Sequence, residues 1–320
     1  MLLISKLQNT RSNELCFLYK VLMFCMFILV GLCYVEFRIR KIPNIFSFKR
    51  NNLEKNLKNI EVLIVGNSET QYGINPIYLS KKAFNLSQSG EHIIYTNEIL
   101  HKYIAEMPKL KCIVISNSYF SFYRERNFQV EENLLVAYNY YHYWGVNPTK
   151  LSVFDVNKYV VSLYSSNVFL EILFHNINYY IQNQYVNGWA SFKGTEWNSL
   201  TKKAASAIIK DHEKLMEIRD LNENIKTYQS LLDLCKKRDV EVYILNTPKH
   251  SFYVNAMNHY YLESNRDIVR KLLRASPSTK YIDYSTDSRF LDTDFYNLNH
   301  LNQDGAKKLS VIFNSEGTIP

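Results

Sequence analysis

Short apolar runs recur along the chain, and helical patterns fill the intervals between them. Glu61-Val62-Leu63-Ile64-Val65-Gly66 is closed by a glycine, and similar runs stand at 83–86, 111–116, 241–245 and 280–284. Continuous rather than alternating apolar character predicts strands buried on both faces, as in a parallel sheet. Ile93, Leu100, Tyr103, Ile104 and Met107 share one helical face, as do Ile225, Tyr228, Leu231, Leu232 and Cys235. A closing helix is expected over 303–313, with Asn302 as its cap and Ala306, Leu309 and Phe313 turned inward. Strands that alternate with helices predict an α/β fold with a doubly wound, parallel, five-stranded sheet. Such sheets bind ligands beyond the carboxyl ends of their strands. Ser68, Ser87 to Gly90, Ser116 to Ser118 and Asn246 to His250 all follow strands, so these polar groups are expected along one edge.

Two segments depart from the alternation. Residues 124–200 are dense in Tyr, Asn and Phe, and are expected as a helical insertion packed over that edge. Aromatic clusters of this kind are ordinary core material, yet they also make platforms for sugar rings. At the other departure, Val21 to Phe37 carries a single acid, Glu36, and Leu15 to Tyr19 extend it across Lys20. The whole is long enough to span a bilayer. A cleaved signal peptide is the competing reading, but no small-x-small site follows and Arg38, Arg40 and Lys41 come directly after the apolar stretch. Lipidation at Cys33 is disfavoured because Leu32 occupies the position where a small residue is expected. The expected organisation is an arm (1–14), a transmembrane anchor (15–37), a basic Asn- and Lys-rich linker (38–59) and a main domain (60–320).

Composition changes this picture only where it is mapped. The net charge is +8, but residues 1–58 hold ten Lys/Arg against three Glu, a local +7 that leaves +1 for the rest. Basic charge confined to the flanks of an apolar span suits a membrane surface, and the main domain lacks the cationic face that nucleic acid needs. The same flank, counted by the positive-inside rule, favours a cytoplasmic C-terminal side. Of five cysteines only Cys112 and Cys235 lie in the main domain, on a strand and on an apolar helix face, where buried thiols are expected rather than a disulfide. No His/Cys/Asp spacing suits a metal and no glycine-rich phosphate loop occurs, so no cofactor is expected.

The chemistry-bearing positions lie at the two ends of the domain. In Gly66-Asn67-Ser68-Glu69-Thr70 a serine follows a strand-ending glycine and opens a helix, whose free N–H groups can stabilise an oxyanion. A serine there is also an ordinary helix cap. A serine nucleophile needs a base, and Asn297-Leu298-Asn299-His300-Leu301-Asn302 puts a histidine before the final helix, which in a doubly wound sheet returns beside the first strand. Asn246-Thr247-Pro248-Lys249-His250 adds a turn on the same edge, from which Lys249 or His250 can meet substrate unless it is merely a solvated loop.

Gly66-Asn67-Ser68, Asn85-Leu86-Ser87-Gln88-Ser89-Gly90 and the final His300-Leu301-Asn302 with Gly305-Ala306, in this order, resemble the SGNH (GDSL-type) hydrolase superfamily. Within it they resemble membrane-anchored bacterial members that modify cell-surface polysaccharides. The resemblance spans about residues 60–313 apart from the insertion, and implies a flavodoxin-like sheet on the exocytoplasmic side, opposite to the side favoured by the charge count. It implies Ser68 as nucleophile and, through its own N–H, one oxyanion donor, with Gly90 as the second. Asn117 is the candidate third donor, Ser118 lies close behind it among possible substrate contacts, and His300 is the base. The family's aspartate three residues before the histidine is Asn297 here. A neutral amide can hold the ring but offers no charge, and Asp294 is the candidate substitute. The implied activity is ester hydrolysis or O-acyl transfer on an acylated envelope glycan. A non-catalytic glycan-binding or scaffold protein of a polysaccharide assembly system is the alternative.

Overall fold

The computed structural model describes residues 2–42, 44–125, 131–164 and 185–316. The chain divides into two compact units, Met1–Pro43 with Ser152–Tyr179, and Asn44–Leu151 with Tyr180–Pro320.

The first unit is built on helix α1 (Leu2–Arg40), whose stretch Glu14–Arg40 is long and apolar enough to cross a membrane. Its one acid beyond the start of that stretch, Glu36, accepts from Arg40 Nε at 2.6 Å and from the Val161 backbone N–H at 2.9 Å. Arg40 also donates to the Tyr159 carbonyl. Within the segment expected as an insertion over 124–200, Tyr159 and Val161 are thus hydrogen-bonded to the polar end of α1, and Ser152–Tyr179 belong to this unit. The part of that insertion within 165–184 lies outside the described residues.

The second unit carries the expected sheet. Strands β1 (Val62–Val65), β2 (Ala83–Asn85), β3 (Cys112–Ser116), β4 (Glu241–Asn246) and β5 (Thr279–Asp283) form one five-stranded sheet in the order β2-β1-β3-β4-β5. All four pairings are parallel, with Val62 opposite both Ala83 and Cys112, Cys112 opposite Glu241, and Val242 opposite Thr279. Every residue of β1 and β3 is buried, as continuous apolar runs require. The order reverses between β1 and β3, which opens a crevice at their carboxyl ends. Cys112 and Cys235 are free and buried, and burial pushes both thiols up to about 12.

The expected linker is largely helical. Residues Ile45–Asn56 form α2, opened by a reciprocal cap between Asn44 and Ser47. Its inward face holds Leu53 and, unusually, Lys49, which is 1 % exposed. A lysine at a core position hides the apolar periodicity, which is why the segment reads as a polar spacer. Phe46 of α2 packs edge-on against Tyr140, which stacks on Tyr95 at 4.0 Å, so the first part of the aromatic segment joins this helix to the body.

Candidate active site

The chain leaves β1 through Gly66, whose φ is +124°. A Cβ there would stand 2.4 Å from the Ser116 Cβ, so both the dihedral and the close approach of β3 call for glycine. Asn67 then caps helix α3 (Ser68–Gly73) by accepting from the Glu69 N–H at 3.0 Å. Its side chain is held from β3 as well, accepting from the Ser116 hydroxyl at 2.8 Å and donating to Ser118 Oγ at 2.7 Å. Ser68 is the first helical residue, so its N–H is one of those a helix leaves without an internal acceptor.

Ser68 Oγ lies 2.8 Å from His300 Nε2, across 232 residues of sequence. The other ring nitrogen, Nδ1, is 3.1 Å from Asn297 Oδ1. The same carboxamide oxygen accepts from the His300 and Asn299 backbone N–H groups at 3.0 and 3.2 Å. With Oδ1 as acceptor, Nδ1 carries the proton and Nε2 is left to accept from the serine. Burial, the Lys249 charge and His212 together pull His300 down to about 3. The imidazole is thus a neutral acceptor at ordinary pH, and its cation is held by no anion of its own loop.

Asp294 does not fill that gap. It pairs with Lys308 and accepts from the Leu291 N–H at 2.8 Å, so its carboxylate braces its own turn against the closing helix Gln303–Ser315. The positions expected to touch substrate are also engaged elsewhere. Lys249 is 5 % exposed and forms an ion pair at 2.9 Å with Glu69, the residue after Ser68, while donating to Thr247 at its carbonyl (2.8 Å) and hydroxyl (2.7 Å). His250 is buried, caps the helix Ser251–Ala256 through Nδ1 and meets Asp292 through Nε2 at 3.1 Å. Ser118 is fully buried and receives Asn67. Asn117, expected as an oxyanion donor, is buried and exchanges hydrogen bonds with Asn265 at 2.9 and 3.3 Å. Each of these is a polar group that burial obliged to find a protein partner.

Gly90 is exposed, with φ +72° and open space where a Cβ would be. It is the third residue of a turn closed by the Glu91 N–H on the Gln88 carbonyl at 3.0 Å, the position that favours glycine in a type II turn. The turn is tied to α3 by Ser87 Oγ with Thr70 Oγ1 at 2.9 Å and by Ser89 Oγ on Gln71 at 3.0 Å. Among the described hydrogen bonds, none engages the Gly90 N–H.

Three groups at the site carry no separate signal in the sequence. The Phe192 and Tyr296 rings stack at 3.9 Å, and Phe192 meets Tyr72 at 4.1 Å. Tyr72 stands edge-on to His300 at 5.5 Å, so the three rings form a wall beside the imidazole. The Gln303 N–H on the Phe192 carbonyl and the Glu196 N–H on the Tyr296 carbonyl fasten this part of the aromatic segment to the histidine loop. Beyond these rings, His212 meets the Tyr253 hydroxyl at 2.8 Å and is pulled down to about 4 by burial and by Arg124 and Lys249. Among the described residues no three His, Cys, Asp or Glu side chains converge as metal ligands would.

No family model and no curated protein matches the chain. Among solved structures it is similar to a protein of Streptococcus pneumonia provisionally described as a platelet activating factor, with a TM-score of 0.42 and 10% identity over 92% of this chain and 98% of that one. It is similar also to a provisionally named acylhydrolase of Bacteroides fragilis, with a TM-score of 0.41 and 10% identity over 85% of this chain and 96% of the other.

Proposed function

We propose that this protein is a serine-dependent acyl-ester hydrolase or O-acyltransferase of the SGNH kind, anchored by α1, whose substrate is an acylated cell-envelope polysaccharide. The observation that carries the reading is the 2.8 Å contact of Ser68 Oγ with His300 Nε2, at the head of a helix and at the carboxyl edge of the sheet. Ser68 attacks the acyl carbonyl as His300 takes its proton. The carbonyl oxygen becomes an oxyanion that receives the N–H groups of Ser68 and Gly90. Collapse expels the alcohol, which recovers the proton from His300 and leaves an acyl-serine. Water gives hydrolysis of that ester, and a sugar hydroxyl gives transfer. The Tyr72, Phe192 and Tyr296 wall supports a glycan, because a sugar ring lays its C–H face on an aromatic surface.

The test is covalent trapping by a fluorophosphonate probe. Wild type is expected to be labelled at Ser68, Ser68→Ala not at all, and His300→Ala at a rate lower by about a hundredfold or more. Equal labelling of the three proteins refutes the assignment.

A glycan-binding protein without catalysis is the second reading, favoured by one observation: Asn297 gives the imidazolium no counter-charge while Lys249 opposes it. Absence of turnover in both wild type and Asn297→Asp, with retained glycan binding, would decide for it.

A further inference from the structure

Helix α2 starts at Ile45, with only residues 41–44 between it and α1 in the chain, and meets the loop after β2 through one side chain. The Lys49 ammonium is buried and donates to the carbonyl oxygen of Ser87, the first residue after Leu86 in the loop that follows β2. Glu91, at the other end of the same loop, is buried with Lys49 within its Coulombic reach, and its carboxyl accepts from the Thr96 hydroxyl. Between these two held points lies the turn that carries Gly90.

We propose that Lys49 is a positioning residue for the Gly90 N–H: by holding Ser87, it sets where the oxyanion-binding turn stands relative to Ser68. This rests on the proposed function, in which that N–H receives the oxyanion. Packing alone does not account for a lysine here. Burying an ammonium is costly, and an apolar side chain of similar volume would dock the helix at lower cost. Burial pulls Lys49 down to about 7 and pushes Glu91 up to about 8, and an amine donates to the Ser87 carbonyl whether or not it carries the extra proton. The donor has a defined acceptor, a loop carbonyl that would otherwise be left unpaired in the interior. Helix α2 thereby positions the oxyanion-binding turn rather than serving as a spacer.

The test uses the full-length protein in detergent micelles, with p-nitrophenyl acetate turnover, fluorophosphonate labelling of Ser68 and hydrogen–deuterium exchange. Lys49→Met is expected to fold, to lower kcat about 10- to 100-fold with KM changed less than about threefold, and to leave the pH dependence of kcat/KM in place because His300 is untouched. Exchange is expected to rise in a peptide covering 86–91 while β1 and β3 stay protected. Lys49→Gln, which keeps a neutral N–H donor, is expected to recover most of the rate. If wild type labels at Ser68 and Lys49→Met labels and turns over at the same rate, the inference fails and the proposed function stands. If Lys49→Met loses protection throughout the sheet, or Lys49→Gln is as slow as Lys49→Met, Lys49 is a stability residue and the inference again fails. If wild type is not labelled at Ser68, both fall together.

Discussion

Two buried lysine–glutamate pairs lie near Ser68 and the loop after β2, and they solve the problem of buried charge differently. Lys249 meets Glu69 directly at 2.9 Å and places further hydrogen bonds on Thr247, so ammonium and carboxylate face each other in the interior. Lys49 and Glu91 are each hydrogen-bonded to a neutral group instead, Ser87 and Thr96, and burial draws their titrations toward one another, to about 7 and about 8. The lesson is that contact matters: one pair meets as opposite charges although neither Glu69 oxygen gains a hydrogen bond, whereas the separated pair is drawn by burial toward the neutral amine and acid. The consequences for chemistry differ too. Lys249 opposes protonation of His300, while Lys49 donates to the backbone of a loop.

The largest expected effect separates the two pairs by stability. Lys249→Met strands the buried Glu69 carboxylate and should cost about 3–5 kcal/mol in chemical denaturation, whereas Lys49→Met leaves one loop carbonyl without its donor and should cost about 1–3 kcal/mol. Equal losses would break the comparison. Next in size is the response of the base. Asn297→Asp puts a carboxylate at the position now 3.1 Å from His300 Nδ1, and should raise the imidazole by about one to three pH units from its present value of about 3. The acid limb of the kcat/KM profile should move up with it, and turnover at pH 7 should rise about tenfold or more. An unmoved limb would mean that His300 is not the titrating base.

The smallest effect is on acid stability. His300 and His212 sit below their ordinary value of 6.5, at about 3 and about 4. Between those values and 6.5 the unfolded chain binds more protons than the native one, so stability is full above about pH 6.5 and declines as pH falls toward 4. The melting temperature should follow, and His212→Phe should flatten the decline. A slope unchanged by that substitution would remove His212 from the account.

Much of this was legible in the chain. The five strands lie within a residue or two of the apolar runs, since parallel strands covered on both sides need unbroken apolar sequence. Ser68 and His300 could be set on one edge because each flanks an element whose place the topology dictates. Lys49 was illegible for the opposite reason: a lysine on the inward face of α2 breaks the apolar period that announces a helix. The partition of the aromatic segment is not legible, because composition does not say which of its parts joins α1, α2 or the His300 loop. Phe192 could have been picked out only by knowing that its carbonyl is held by Gln303.

The sequence by itself determined the sheet, its edge and the two residues that meet there, because apolar periodicity and chain order are local properties that few parallel topologies can satisfy. Only the tertiary structure decided what each polar side chain does. Lys249, His250, Asp294, Asn117 and Ser118 all sit near that edge in sequence, yet each is engaged by a protein partner inside the domain. A buried polar group takes whichever partner folding brings within about 3 Å, and that partner is distant in the chain as often as near.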